Sequence, residues 1–579
     1  MLESLIHQAQ TVRGIQPEQY PLAYTSLAHV FAEREREHDA RERTFMIFYD
    51  EHGERREYSY QSFIHAARKA ASVLVALGVQ RGSRVATAAH NHPDTIVQYC
   101  AAWMLGACVV PLNMTEDDDR LRYVLENSGA SMLLCREEYA ERLAAIVPQP
   151  HSPRVVIVHN TAQSRPQHQD GNTALPPNDF HALCEAAEAL PIQPTSVSAD
   201  DEALIVYTSG TTGNPKGVVL TQRNIMADSE AIAAWHGITT TQRMMCVLPV
   251  HHVNGIIVTH TTPMIAGASV VLNRKFQSEH FFERVQRERV NVVSVVPTLL
   301  AFLLEAHKNS PRTQNASTTG SHTDYTSLRH IICGAGPLTC ELARRFEERF
   351  GVPIIHGYGL SETTCYSCYL PTDLSDAEHH HWMYDYGFPS IGVPLAPNEM
   401  AIHDEHGNAL GEMERGEIVI RGANVMKGYY HNPDANAKAF AFGWFRSGDE
   451  GFFKRDAQGR PYFFITGRLK ELIIRGGVNI APLEIDEVLS QAPGVQAAIC
   501  VGFEHDMYGE EVGALVIPQT PEATAEAILH YCADHLPFHK SPKVVVFTDA
   551  LPVTSTGKYQ RNKVKHLFAA WKATQFRKP

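Results

Sequence analysis

The sequence predicts an α/β fold: a large N-terminal domain of parallel-rich sheets covered by helices plus a β-rich subdomain, followed by a small α+β C-terminal domain. Three observations carry this. Short apolar runs alternate with amphipathic stretches through most of the chain, the pattern of parallel sheet covered by helices. From about residue 387 the texture changes to short strands and turns, as in Gly416-Glu417-Ile418-Val419-Ile420-Arg421-Gly422. At 579 residues the chain is too long for one core. The strand-like Tyr462-Phe463-Phe464-Ile465 is followed by a last stretch of about a hundred residues, the size of a small domain. The boundary is therefore placed at 467–470, between domains at 1–466 and 471–579.

Arg84 to Ala89 reads as a strand, Asp94 to Leu105 as a helix and Ala107 to Leu112 as the next strand. Gly267 to Leu272, Phe281 to Glu288 and Val292 to Val296 repeat the unit. So do Leu328 to Ile332, Cys340 to Phe350 and Pro353 to His356. Residues 159–178 and 309–327 are polar and have little to bury, so they are expected to be surface insertions.

Hydrophobic content of 44% and charged content of 20% are ordinary for a globular protein. A net charge of −13 argues against nucleic acid as a partner. No apolar run reaches membrane-spanning length, and Met1-Leu2-Glu3-Ser4-Leu5-Ile6-His7 lacks the pattern of a secretory signal. The eleven cysteines are scattered through apolar segments, which suits reduced thiols and a cytoplasmic location. Cys365 and Cys368 have no second pair nearby and are read as structural, and His379-His380-His381 is read as a solvated loop.

The most informative stretch is Tyr207-Thr208-Ser209-Gly210-Thr211-Thr212-Gly213-Asn214-Pro215-Lys216-Gly217. Apolar runs lead in (Ala203 to Val206) and out (Val218 to Leu220), so this is a donor-rich mobile loop between two strands. Glycine allows close backbone approach, and successive N–H groups with hydroxyls and an ammonium can surround a polyphosphate. It is not a Walker A loop, because Lys216 is followed by Gly217 and a β-like exit; a kinase-type P-loop enzyme is thereby excluded.

Four further spots carry chemistry. His356-Gly357-Tyr358-Gly359-Leu360-Ser361-Glu362-Thr363-Thr364 follows a strand. It reads either as a site that stacks a purine on Tyr358 and holds Mg²⁺ through Glu362, or as a turn with a helix cap at Ser361. Trp444-Phe445-Arg446-Ser447-Gly448-Asp449 places a carboxylate after a tight turn, suited to ribose hydroxyls or to a plain surface turn. The segment Gly467 to Asp486 sets cations around Gly476-Gly477. Leu551 to Arg561 puts Lys558 on a glycine-containing turn, ordinarily a solvated charge.

Taken together in this order, from Leu77-Gly78-Val79-Gln80-Arg81-Gly82-Ser83-Arg84-Val85 to Lys558, these motifs resemble the adenylate-forming superfamily of acyl-CoA synthetases, aryl-CoA ligases, peptide-synthetase adenylation domains and luciferases. The resemblance implies that a small-molecule carboxylic acid attacks the α-phosphate of ATP, giving an acyl-adenylate and pyrophosphate, and that a thiol then displaces AMP. Thr208 to Lys216 (Thr208, Ser209, Gly210, Thr211, Thr212, Gly213 and Lys216) match the phosphate loop. Gly334, Ala335 and Gly336 match the segment lining the adenine and acyl sites. His356, Gly357, Tyr358, Gly359 and Ser361 match the adenine and α-phosphate turn, and Asp449 with Arg468 match the ribose pair. Thr211 and Glu362 are the implied Mg²⁺ residues. Lys558 matches the catalytic lysine, a mobile positive charge where negative charge builds.

Lys470 matches the hinge about which the small domain turns. Gly476, Gly477 and Asn479 match the region that meets coenzyme A, Gly477 foremost. His252 matches the residue beside the acyl site, as gate, thiol contact or packing residue; Asn254 and Gly255 join it with Gly334 in the substrate pocket. No carboxylate lies between His251 and Ile257 to meet an amino group. The apolar surroundings favour a medium- or long-chain fatty acid, with an aryl or small dicarboxylic acid as the alternative. The acceptor is CoA, with an acyl or peptidyl carrier protein as the alternative.

Overall fold

The computed structural model describes residues 1–147, 152–160, 179–208, 214–307, 324–553 and 559–576. Most of both expected surface insertions, at 161–178 and 308–323, lies outside the described residues. The alternation of strand and helix is realised closely. The strand Arg84–Ala88, the helix Pro93–Met104 and the strand Cys108–Leu112 follow one another, and the helices Phe281–Glu288 and Cys340–Phe350 have the predicted bounds.

A nine-stranded sheet is parallel through its middle, where Ile354–Tyr358, His330–Cys333, Val292–Val295, Arg243–Cys246, Ser269–Asn273 and Thr44–Tyr49 lie side by side. A seven-stranded sheet runs from Gly428–Tyr429 through Lys216–Thr221, Glu202–Thr208, Cys108–Leu112 and Arg84–Ala88 to Met132–Arg136 and Arg154–Val158. Both its faces are covered. Val85, Val109 and Leu204 enter the main core, while their neighbours Ala86, Val110 and Ile205 enter a second core under the helices Asp118–Ser128 and Glu137–Ile146. This is the alternation that a strand's two-residue period imposes.

A four-stranded antiparallel sheet, Asn398–His403 to Pro461–Arg468, forms the β-rich part. A five-stranded sheet after residue 472 has its own two small cores, one on each face. The small sheet's helix Pro482–Gln491 meets the large part through Glu487, whose carboxylate accepts from the Cys340 N–H at 2.7 Å and the Glu341 N–H at 3.2 Å.

Two local expectations are corrected. His379-His380-His381 is not a loop but part of the helix Asp376–Tyr384, opened by a reciprocal cap between Ser375 and Glu378. Asp449 does not follow a surface turn: it lies inside the strand Phe445–Arg455, directly opposite Arg468.

Candidate active site

The site is built at the carboxyl ends of parallel strands, where open α/β sheets present their binding crevices. His330–Cys333 runs into Gly334, Ile354–Tyr358 into the Gly359-to-Thr364 turn, and Arg243–Cys246 into the Leu248-to-Val253 loop.

Charged groups gather on one side. Thr208 pairs with Lys216 across the antiparallel hairpin Glu202–Thr208 / Lys216–Thr221, so the predicted loop does join two strands. Its residues Ser209, Gly210, Thr211, Thr212 and Gly213 lie outside the described residues, as does Lys558. The Lys216 ammonium sits 4.0 Å from the centre of the Tyr429 ring, and the Tyr429 hydroxyl donates to Glu362 Oε1 at 2.8 Å. Burial lowers the Lys216 pKa, Glu362 acts against that, and Lys470 and Arg468 add to it; these groups share one field. Glu362 stands in the short turn Ser361–Thr363, so Ser361 is brought with it.

Asp449 Oδ1 is 3.0 Å from Arg468 Nε, and its other oxygen accepts the Tyr358 hydroxyl at 2.6 Å. The ion pair raises the Arg468 pKa, Asp449 being the largest cause. Asp449 Oδ1 is buried beside Arg468 Nε with no well-directed hydrogen bond among the described residues, so it keeps accepting capacity that a hydroxyl-bearing ligand could use. His356 is placed differently from the others. Its Nδ1 lies 3.0 Å from the Ser390 carbonyl and its ring is buried, which lowers its pKa to about 4.

The other side is neutral and buried. Ser294 Oγ donates to Asn254 Oδ1 at 2.9 Å, and Asn254 Nδ2 donates to the Tyr366 hydroxyl at 3.3 Å. Gly334 lies against this ring: a Cβ there would stand 2.5 Å from the Tyr366 oxygen and 2.7 Å from the Gly357 carbonyl. The next residue, Ala335, adopts φ +64°, a backbone region unusual for a side-chain-bearing residue. Asn254 and Gly255 open a π-helix, Asn254–Thr261, a form frequent at functional sites. A Cβ on Gly255 would strike the Pro249 carbonyl, so the second position of the helix admits only glycine.

The Leu248-to-Val253 loop is tied down by Asn91. Its amide donates to Leu248 and Asn273 carbonyls at 2.9 and 3.0 Å and accepts the Val250 N–H at 2.9 Å. On that loop the His251 and His252 rings lie 4.3 Å apart, and burial lowers the His251 pKa to about 4.

The implied coenzyme A region stands apart from both sides. Lys470 is exposed on the turn Leu469–Glu471, and Gly476, Gly477 and Asn479 are exposed on the hairpin Ile473–Arg475 / Val478–Ile480. A Cβ on Gly477 would meet no atom within 4 Å. Among the described residues no cluster of three or more His, Cys, Asp or Glu could hold a metal ion. A single carboxylate such as Glu362 is the donor set of a Mg²⁺ site completed by substrate phosphates.

Tyr429, Tyr366, Ser294 and Asn91 were not singled out from the sequence. Each contributes from a separate segment, with no motif of its own.

Comparison with known proteins gives one consistent picture. Residues 32–430 match the family model described as AMP-binding enzyme, and residues 484–558 match that of the AMP-binding enzyme C-terminal domain. An oxalate–CoA ligase of Arabidopsis thaliana is 33% identical over 86% of this chain and 91% of its own length. A sulfoacetate–CoA ligase of Cupriavidus necator is 34% identical over 84% of this chain and 88% of its own. The structure is similar to that of ATP-bound MatB from Rhodopseudomonas palustris, with a TM-score of 0.79 and 27% identity over 93% of this chain and 99% of that one.

Proposed function

The chain belongs to the AMP-binding enzyme family, within the adenylate-forming superfamily, and is an AMP-forming acid–thiol ligase; we propose that it joins a compact carboxylic acid, aryl or short and bearing a second polar group, to coenzyme A. The observation that carries this choice is the buried floor made by Asn254, Ser294 and Tyr366 beneath Gly334. These groups hydrogen-bond one another and set a fixed polar layer behind Gly334, where a tunnel for a long alkyl chain would call for an apolar one. A compact acid with its own polar group suits such a surface. The relatives that act on oxalate and sulfoacetate are in keeping with this reading. The medium- or long-chain fatty acid expected from the sequence is therefore the second choice.

Lys216 and the phosphate loop hold the β- and γ-phosphates of ATP. Tyr358 backs the adenine, while Asp449 and Arg468 take the ribose hydroxyls. Glu362, with the substrate phosphates, would hold Mg²⁺, which would supply charge neutralisation there. Lys558 brings its charge to the α-phosphate as the acid carboxylate attacks and pyrophosphate departs. The small domain then turns about Lys470, so that Gly476, Gly477 and Asn479 guide the CoA thiol to the acyl carbon and AMP leaves.

The test is incubation with ATP, Mg²⁺ and a panel of short dicarboxylic, sulfonated, aryl and fatty acids, with and without CoA, read by mass spectrometry, with Lys558→Ala as control. Acyl-CoA from a compact acid, lost in the control, is the expected result. Turnover restricted to medium or long fatty acids would overturn the proposed substrate class. Acyl-adenylate without thioester would move the acceptor to a carrier protein.

A further inference from the structure

Between the metal-facing carboxylate and the acid-facing ring the backbone makes a turn that ordinary chain geometry does not favour. Thr364 stands at φ 67°, ψ −61°. The Cys365 N–H donates to the Thr363 carbonyl at 2.8 Å. Together these make a γ-turn of the rare, strained hand, centred on a β-branched residue. Such a conformation persists only where its surroundings over-determine it.

The surroundings here are unusual too. Asp228, on the helix Gln222–Trp235, is fully buried. Its neighbours are hydrogen-bond donors rather than a cation. Oδ1 accepts from Asn424 Nδ2 at 3.0 Å, Oδ2 accepts from the Tyr366 N–H at 3.3 Å, and the Cys365 backbone lies beside them. Burial without a cationic partner pushes its pKa up to about 8. Stability alone does not call for this arrangement, because an apolar residue on a buried helix face avoids the desolvation cost.

Asn424 is equally buried and grips the same turn from the other side. Its side-chain amide donates to the Tyr366 carbonyl at 2.9 Å, and its backbone carbonyl accepts the Thr364 hydroxyl at 2.6 Å. Two residues on, the Met426 N–H donates to the Glu362 carbonyl at 2.8 Å. The turn is thus held at Glu362, Thr364 and Tyr366 by one helix carboxylate and one loop.

We propose that Asp228, acting with Asn424, is a positioning residue that holds the Thr364 γ-turn and so fixes Glu362, on the nucleotide side, relative to Tyr366, on the acid side. This rests on the functional reading of Glu362 and Tyr366 given above. Asp228→Asn replaces one of the two carboxyl oxygens, which accept from Asn424 and the Tyr366 N–H and can do so in either protonation state, by an NH₂ group that cannot accept, so the turn loses part of its restraint. Thr364→Gly removes the steric penalty that the restraint opposes.

The experiment measures acid-dependent pyrophosphate exchange, the KM values for ATP and acid, the apparent Mg²⁺ affinity and the thermal midpoint. It compares wild type, Asp228→Asn, Thr364→Gly and the double variant. Asp228→Asn is expected to lower kcat/KM at least tenfold towards both ATP and acid and to weaken apparent Mg²⁺ affinity. The double variant is expected to recover at least threefold of that loss. A merely structural role for Asp228 would lower the thermal midpoint and leave the KM values and the apparent Mg²⁺ affinity of the folded variant unchanged. Unchanged kinetics in the folded variant, or a loss that glycine does not recover, overturns the proposal. Asn424→Ser, which keeps the helix carboxylate, gives the same comparison where Asp228→Asn folds poorly. A wild type that exchanges pyrophosphate with no acid would instead sink the functional reading. The coupling of thermal midpoints between positions 228 and 364 would then decide this inference, and its absence would overturn it.

Discussion

The two sides of the site are made differently. The side proposed for the nucleotide gathers Lys216, Glu362, Asp449 and Arg468, ionisable groups that act over several ångströms, with the Arg468 side chain 43% exposed. The side proposed for the acid is a buried set of neutral groups, Asn254, Ser294 and Tyr366, joined to one another at hydrogen-bond distance. Charge tolerates small misplacements, whereas a neutral buried hydrogen bond does not. The first side is therefore suited to a constant substrate, ATP, and the second to discriminating among acids.

The largest break between the two sides should come from Asp449→Asn. The carboxamide keeps the shape but loses the charge that faces Arg468 and the acceptor left at Oδ1. Hydrogen bonds to charged groups are worth about 1.5–3 kcal/mol, so the KM for ATP should rise roughly 10–100-fold. Steady-state kinetics with ATP and acid varied separately would check this; an equal rise in the KM for the acid would show that the two sides are not independent.

Gly334→Ala is the complementary break. The added methyl meets the Tyr366 oxygen and the Gly357 carbonyl at 2.5 and 2.7 Å. Overpacking of this kind costs about 1–3 kcal/mol, which corresponds to a roughly 5- to 150-fold loss in kcat/KM for the acid. The KM for ATP should move less than threefold. Loss of ATP affinity with the acid unaffected would reverse the assignment of the floor.

How far the sequence revealed each side follows from the same contrast. Lys216, Glu362, Asp449 and Arg468 stand in contiguous stretches whose glycines and charges are conspicuous in the sequence. The acid floor joins residues 254, 294 and 366 from three elements, and only the packing of the parallel sheet makes them neighbours. Tyr429 reaches Glu362 because Gly428–Tyr429 adds an edge strand to Lys216–Thr221, a pairing that two residues cannot announce. The His379-to-His381 error had another cause. Ser375 and Glu378 form a capping box, a four-residue signal ahead of the histidines that starts a helix through them.

A smaller effect separates the sides by pH. Burial lowers the pKa of His251, His260 and His356 to about 4, so each is held neutral in the fold. The unfolded chain takes up these protons near the ordinary histidine value of about 6.5. Stability contributed by the three is therefore present above about 6.5 and is lost as pH falls toward about 4. Asp228, pushed up to about 8, acts oppositely: its contribution is full at low pH and is lost as pH rises through about 8. The histidines outnumber it, so the thermal midpoint should fall by several degrees between about pH 7 and 5. His356→Gln should flatten that slope without altering the KM for ATP. A midpoint that rises on acidification would refute the account.

The smallest expected effect tests the contact that joins both sides to the small domain. Glu487 places its carboxylate on the N–H groups of Cys340 and Glu341, at the positive end of the helix Cys340–Phe350, which begins just beyond the Gly334-to-Leu338 segment lining the site. In this arrangement the Gly476-Gly477 hairpin is exposed and free of close neighbours at Gly477, so the contact stabilises an arrangement in which that hairpin is not docked. Glu487→Gln keeps one acceptor and removes the charge, at a cost of about 0.3–1 kcal/mol. A difference of that size shifts an equilibrium between two arrangements by about two- to fivefold. Acid-dependent pyrophosphate exchange should slow by up to that factor, while conversion of preformed acyl-adenylate to thioester should be unchanged or faster. Parallel slowing of both half-reactions would show that Glu487 serves folding alone, and that the small domain's placement is set elsewhere.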